Sequence, residues 1–99
     1  MTEKIYRGEY PTIQGLIVQS VSRSFNLTDG QIRELKQFSF LEQARRSLMV
    51  AVVRYPELEE GMAQVDELLG MTREVIERDA VLRAAVDEYV RSFYETVEE

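Results

Sequence analysis

The chain of 99 residues contains no cysteine, no histidine and no tryptophan. Without cysteine it can form no disulfide, no thiolate metal site and no cysteine nucleophile. Without histidine it lacks the commonest general base and the commonest transition-metal ligand. Long apolar runs are also missing, because the longest covers the six residues 48–53, far short of the roughly 20 that a membrane span needs. We therefore expect no membrane insertion and no bound metal or cofactor.

The acidic residues do not suggest a catalytic site. Asp66-Glu67 and Asp87-Glu88 are adjacent pairs, and adjacent residues on a helix point about 100° apart instead of converging. The serines have no nucleophile motif and no histidine to activate them, and no glycine-rich phosphate loop is present. We interpret most of the acids as a solvated face and predict that the chain is not an enzyme, with no catalytic residues.

What the chain does have is a lopsided charge. Residues 1–54 hold eight basic and five acidic side chains, a net charge of +3, whereas residues 55–99 hold four basic and thirteen acidic ones, a net charge of −9. The whole chain carries −6. Halves of opposite sign are expected to face different partners or each other.

Length and composition predict one soluble globular domain over residues 1–99, since 44% of the residues are apolar and 30% are charged. The first residues carry no apolar segment of the kind found in signal peptides, so we expect a cytoplasmic protein. Residues 1–10 contain Gly8 and show no helical period. We interpret them as an N-terminal arm.

Apolar residues repeat at helical spacing over most of the remaining sequence. Pro11 and Asn26 are predicted to bound the first helix, since proline suits a helix start and asparagine tolerates the left-handed conformation at a helix end. Two capping-box patterns, a serine or threonine followed three residues later by a glutamine or glutamate, predict two further helix starts: Thr28 with Gln31, and Ser39 with Glu42.

The apolar segment 48–53 is predicted to be a central, buried helix, with Leu48 in the core, in preference to a buried strand. Tyr55-Pro56 ends that helix. Gly70 fits either a helix end or a helix interior, and Asp79 is predicted to cap the last helix. The prediction is an all-α fold, a compact bundle of five to six short-to-medium helices.

The segment from Ile13 to Phe38, residues 13–38, also fits a helix-turn-helix. Across residues 13–53 the sequence resembles the DNA-binding domain of the bacterial replication initiator, matching its Ala-Arg pair at Ala44-Arg45. Residues 36–40 stand where that family has a basic loop, yet they hold one charge, so we do not assign the chain to it. In this alternative the candidate nucleic-acid contacts are Gln31, Arg33, Lys36, Arg45 and Arg46.

The last helix has an apolar face wider than a small bundle needs, and part of that face could serve a partner. Its candidate interface residues are Tyr89, Val90, Phe93 and Tyr94. We predict a non-enzymatic protein–protein interaction module, a small cytoplasmic regulatory or assembly protein that binds a protein or a second copy. One alternative is a helix-turn-helix nucleic-acid binder whose acidic half dimerises or binds partners, although the net charge disfavours nucleic acid. Another is an acidic decoy that blocks a nucleic-acid-binding protein.

Overall fold

The computed structural model describes residues 12–97, which form four α-helices and one short 3₁₀ helix. The helices are α1 (Ile13–Ser24), α2 (Asp29–Arg54), α3 (Glu59–Glu77) and α4 (Ala80–Val97), and the 3₁₀ helix Pro56–Leu58 joins α2 to α3. The all-α prediction is confirmed. The predicted arm at residues 1–10 and the helix start at Pro11 lie outside the described residues.

The end of α1 follows from its sequence. Asn26 takes the left-handed conformation with φ 53°. The N–H groups of Asn26 and Leu27 donate to the carbonyls of Arg23 and Ser22 at 3.2 and 3.0 Å, closing the pair of bonds that defines a Schellman motif. The prediction of a helix end at Asn26 is therefore confirmed.

Of the two predicted capping boxes, one starts a helix and the other does not. Thr28 Oγ1 accepts from the Gln31 N–H at 3.2 Å, and Gln31 Oε1 accepts from the Thr28 N–H at 2.9 Å, so α2 begins there. The prediction of a helix start at Ser39 and Glu42 is wrong, because α2 runs through both without a break. Beyond its first turn α2 contains no glycine or proline to interrupt it, and the Ser39 hydroxyl bonds to Tyr89 instead of to a helix end.

The same continuity appears in the second half of the chain. α3 continues through Gly70, so that glycine is internal. Asp79 caps α4 as predicted, because its Oδ1 accepts from the Leu82 N–H at 3.0 Å and its carbonyl accepts from the Arg83 N–H at 2.8 Å. The described residues thus form four α-helices in place of the five to six that we predicted.

The helices enclose one core. α2 and α3 pack side by side, α1 packs against α2 and α4, and α4 also contacts α2 and α3, whereas α1 and α3 do not touch within residues 12–97. Leu35 and Leu82 are the largest fully buried side chains. The core cluster contains buried residues from every α-helix: Val18, Val21, Leu27, Leu35, Phe38, Leu41, Leu69, Ile76, Leu82, Ala85, Val86 and Tyr89.

The apolar segment 48–53 is helical as predicted, but the expectation that it is central and buried is wrong. Val50 and Val53 are 78% and 83% exposed, and Leu48 is half-buried. α2 is 26 residues long, whereas α1 has 12 residues and α4 has 18. Within the described residues, side-chain hydrogen bonds from α1 and α4 reach no further along α2 than Gln43 and Arg46. The last turns of α2 therefore extend past the helices that cover its middle.

Candidate interaction surfaces

The five candidate nucleic-acid contacts are not equivalent in the structure. Gln31 Nε2 donates to Asp79 Oδ2 at 3.0 Å, and Arg45 Nε pairs with Asp66 Oδ1 at 2.7 Å. Arg46 is also engaged within the chain. Arg33 and Lys36 are exposed and form no ion pair within residues 12–97. The segment 13–38 comprises α1 and only the first part of the long helix α2, and a helix-turn-helix is not shown.

Arg46 is held against the aromatic side chains of α4. Its guanidinium carbon lies 4.5 Å from the Phe93 ring centroid and 4.8 Å from that of Tyr94, distances typical of cation–π contacts. Its Nη2 also donates to the Tyr94 hydroxyl at 2.8 Å. Arg46 therefore fastens α2 to α4 and is not free to reach a phosphate.

The four candidate interface residues of α4 mostly face the chain's own interior. Tyr89 and Phe93 are buried, and Val90 is half-buried against the core. Tyr94 alone of the four is exposed, with 45% of its surface accessible. Burial raises the pKa of the Tyr89 hydroxyl above its ordinary value, while its bond to Ser39 acts in the opposite direction. This tyrosine is a structural group, out of reach of a partner in this fold.

A cleft of about 370 Å³ lies beside these aromatic rings. Its charged lining is balanced, since three arginines and three carboxylates share it: Arg46, Arg73, Arg83, Glu42, Glu77 and Asp87. Arg73 and Glu42 neutralise each other across the helices at 2.8 Å. The cleft therefore offers no concentration of one charge sign to attract an ionic ligand.

A second groove, between α1 and α2, is larger and more apolar, with a volume of about 690 Å³. Leu16 of α1 and Phe40 of α2 line it with 51% and 70% of their surfaces exposed. Sequence reasoning missed Phe40, because the helix start predicted at Ser39 put Phe40 on a different helix from Arg33. Reading α2 as continuous from Thr28 would have found it, since Phe40 then shares a side of the helix with Arg33.

The exposed side of α2 forms a strip whose members follow one another at alternating spacings of three and four residues, a pattern that keeps them on one side of a helix. We call this the outer strip of α2: Arg33, Lys36, Phe40, Gln43, Ser47, Val50 and Arg54. It holds three cations and no carboxylate, and α1 beside it contains no carboxylate either. The strip therefore combines two exposed apolar side chains, Phe40 and Val50, with basic residues near both of its ends.

An exposed side of α3 has the opposite charge. Leu68, Met71 and Val75 are exposed at spacings of three and four residues. Three glutamates recur at every seventh position, namely Glu60, Glu67 and Glu74. In paired helices, positions of this kind flank the apolar seam. We call these six residues the acidic flank of α3: Leu68, Met71, Val75, Glu60, Glu67 and Glu74. None of the three glutamates forms an ion pair among residues 12–97.

Two further classes of site find no support in the part of the chain that the structure describes. None of the described helices is both long enough and apolar enough to span a bilayer. No group of three or more carboxylates within that range is placed to hold a metal ion. Comparison of the chain with protein-family models, with curated proteins and with solved structures finds no match.

Proposed function

We propose that this chain is a non-enzymatic protein–protein interaction module, a small cytoplasmic regulatory or assembly protein that binds its partner through the outer strip of α2. The observation that carries the proposal is the exposure of Phe40, 70% accessible in the middle of a long helix. Single exposed apolar residues are common on protein surfaces. Phe40, however, shares a groove with the exposed Leu16, and a contiguous apolar patch with a polar rim is typical of interaction sites.

The basic residues of the strip indicate the chemistry of the partner. Arg33, Lys36 and Arg54 lie along it, and none of them forms an ion pair within residues 12–97. Complementary charge at the rim of an interface speeds association and excludes partners of the same sign. The partner is therefore expected to present apolar side chains with carboxylates beside them.

Site-specific crosslinking tests the proposal. A photoreactive phenylalanine analogue is placed at position 40 in one chain and at position 81 in a control, because Val81 is also an exposed apolar residue but lies on α4. In the native cell, irradiation should yield protein adducts of the chain labelled at position 40 and not of the control. Adducts at position 81 alone, or at neither position, would contradict the proposal.

A pair of matched variants extends the same test. Phe40→Glu places a carboxylate in the groove, whereas Val81→Glu makes the same kind of change on another helix. Both sites are exposed, so the free energy of unfolding should change by no more than about 0.5 kcal/mol in either variant. Phe40→Glu should abolish retention of the crosslinked partner, and Val81→Glu should retain it. Equal retention by both would show that the outer strip of α2 is not the binding surface.

A further inference from the structure

We infer that residues 1–11 of the chain pack against an exposed apolar surface at the end of α2. That surface, which we call the apolar end of α2, consists of Met49, Val50 and Val53, all of them exposed. The inference goes beyond the proposed function, because it concerns the last turns of α2 and not the groove at Phe40. It assigns this surface to another part of the same chain.

The apolar end continues the side of α2 that faces α1 and α4. Val50 follows Gln43 by seven residues, which places it two helical turns further along on nearly the same side. Val53 follows Arg46 by the same interval. Gln43 accepts a hydrogen bond from Gln14 of α1, and Arg46 lies against the aromatic rings of α4. Two helices therefore flank this side of α2 until its last turns.

The start of α1 lies just before the apolar end. Residues 25–28 connect α1 to α2 and turn the chain back, and Gln14, near the opposite end of α1, bonds to Gln43 at 2.5 Å. The groove between the two helices includes Thr12 and has no described residue of α2 beyond Gln43. Val50 lies about 10 Å further along the axis of α2, past the first turn of α1.

The end of α4 lies beside the same surface. α4 runs parallel to α2, because Ser39 contacts Tyr89 and, further along both helices, Arg46 contacts Tyr94. Val97, the last residue of α4, is three residues beyond Tyr94, a distance of about 4.5 Å along the helix axis. Within residues 12–97, the last turn of α2 therefore has no helix beside it on this side.

Residues 1–11 join the fold next to this uncovered surface. They lead directly into Thr12, the N-cap of α1. Eleven extended residues span up to about 36 Å, more than three times the roughly 10 Å that separates the start of α1 from Val50. Ile5, Tyr6 and Tyr10 supply large apolar side chains. The segment is therefore long enough and apolar enough to cover the surface.

Packing residues 1–11 on the apolar end removes apolar surface of both from water, the dominant favourable term in association. The covalent connection through α1 makes this contact intramolecular, with an effective concentration on the order of millimolar, so that even a weak contact is populated. Glu98 and Glu99, which follow α4, carry carboxylates and no apolar side chain to bury. Residues 1–11 are therefore the occupant that the sequence favours.

A spin label in the full chain tests the inference. The chain has no cysteine, so Arg54→Cys creates a single labelling site at an exposed position beside the apolar end and keeps its three apolar side chains. A nitroxide at this site should strongly broaden the backbone amide signals of residues 5–10 in nuclear magnetic resonance spectra. Reduction of the nitroxide should restore those signals.

Matched substitutions in the labelled chain distinguish packing from tethering alone. Val50→Ser with Val53→Ser removes two of the three apolar side chains and should sharpen the signals of residues 5–10. Val75→Ser with Val81→Ser makes the same changes at exposed valines of α3 and α4, and this control should leave the broadening unchanged.

A second pair of substitutions leaves α2 unaltered. Ile5→Ser with Tyr6→Ser should sharpen the signals of residues 7–10, because it removes the apolar side chains on the other side of the contact. Circular dichroism checks that each variant keeps its helix content. This pair decides the question if the α2 variant is misfolded.

Three outcomes would overturn the inference. Signals of residues 5–10 that stay sharp in the labelled chain, or broadening that persists in either pair of folded variants, would show that residues 1–11 do not pack on the apolar end. Broadening in a mixture of the spin-labelled chain with an isotope-enriched chain free of nitroxide would assign the contact to a second copy. Crosslinking at position 40 decides the proposed function separately, since none of these readouts involves Phe40.

Discussion

The hydroxyls of Ser39 and Tyr89 lie 2.8 Å apart in the interior and join the middle of α2 to α4. Both side chains are buried, with 6% and 4% of their surfaces exposed, so neither hydroxyl can turn to bulk water. The Tyr89 ring also packs edge-on against Phe38 at a centroid distance of 6.2 Å. The bond thus satisfies two polar groups that the surrounding apolar packing would otherwise leave without partners.

Removing both of these hydroxyls together should cost less than the sum of the losses from removing each one alone. Ser39→Ala leaves the Tyr89 hydroxyl buried and unpaired, and an unsatisfied buried donor or acceptor costs about 1–3 kcal/mol. Tyr89→Phe should cost less, because Ser39 lies within a helix and can bond to the carbonyl four residues before it. In the double variant no hydroxyl remains, so its loss should be smaller than the sum of the single losses.

Equilibrium unfolding in urea of the wild type, the two single variants and the double variant measures this double-mutant cycle. Ser47→Ala is the control for helix propensity, since Ser47 is an exposed serine of the same helix. Losses that add within about 0.3 kcal/mol would show that the hydroxyls do not interact.

Ser39 also shows how far local sequence could predict the helix boundaries. Thr28 with Gln31 and Ser39 with Glu42 carry the same capping pattern, yet only the first starts a helix. The partner that decides the role of Ser39 is Tyr89, 50 positions away in the chain, and no local pattern reveals it. Asn26 and Asp79 were predictable because their bonds go to residues within a few positions.

The candidate surfaces were harder to predict than the fold, for a related reason. The apolar face of α4 is wider than a small bundle needs, which made Tyr89 and Phe93 candidate interface residues. In the structure both are buried, because α4 packs against the three other helices. Phe40 is a large apolar residue in the middle of a helix, as a core residue would be, and yet it is exposed in the structure. Which side of a helix is covered depends on where its neighbours end, and the length of α2 became known only with the structure.

The sequence predicts Leu48 as a core residue, but the structure indicates that the core is centred on Leu35. Leu35 is fully buried, whereas Leu48 is half-buried near the projecting end of α2. Leu35→Ala should cost about 2–5 kcal/mol, the usual range for a buried leucine. Leu48→Ala should cost less than about 2 kcal/mol, because part of its surface already contacts solvent.

Thermal unfolding followed by circular dichroism compares these two leucine variants directly. A loss of 1 kcal/mol lowers the midpoint of a domain this size by about 4–8 °C, so the two variants should melt at clearly different temperatures. If Leu48→Ala were the less stable protein, the described packing of α2 would be wrong.

The guanidinium of Arg46 should contribute to the stability of the fold through its planar shape as well as its charge. Arg46→Lys keeps the charge but loses the planar group that lies over Phe93 and Tyr94 and bonds to the Tyr94 hydroxyl. We expect a loss of about 0.5–1 kcal/mol in the free energy of unfolding. Arg33→Lys, at an exposed site, should leave stability unchanged. Equal stability of the two variants would contradict a role for the stacked guanidinium.

The link between Gln31 and Asp79 should make stability depend on pH in the acid range. The amide of Gln31, followed by the N–H of Leu82, holds the pKa of Asp79 below its usual value, although slight desolvation acts in the opposite direction. A carboxylate with a lowered folded-state pKa stabilises the protein above its unfolded-state pKa of about 3.9. That contribution is lost as the pH falls through the lower folded-state value.

Asp79→Asn isolates this effect, because asparagine can still cap α4 but does not titrate. The wild type should therefore have the higher melting midpoint near pH 6, and the difference should shrink as the pH falls through the lowered folded-state pKa of Asp79 and its carboxylate becomes protonated. Midpoints from thermal melts at each pH decide the matter. A gap between wild type and Asp79→Asn that does not narrow on acidification would mean that the Gln31–Asp79 contact does not favour the ionised carboxylate, and that α4 is capped equally well without the charge.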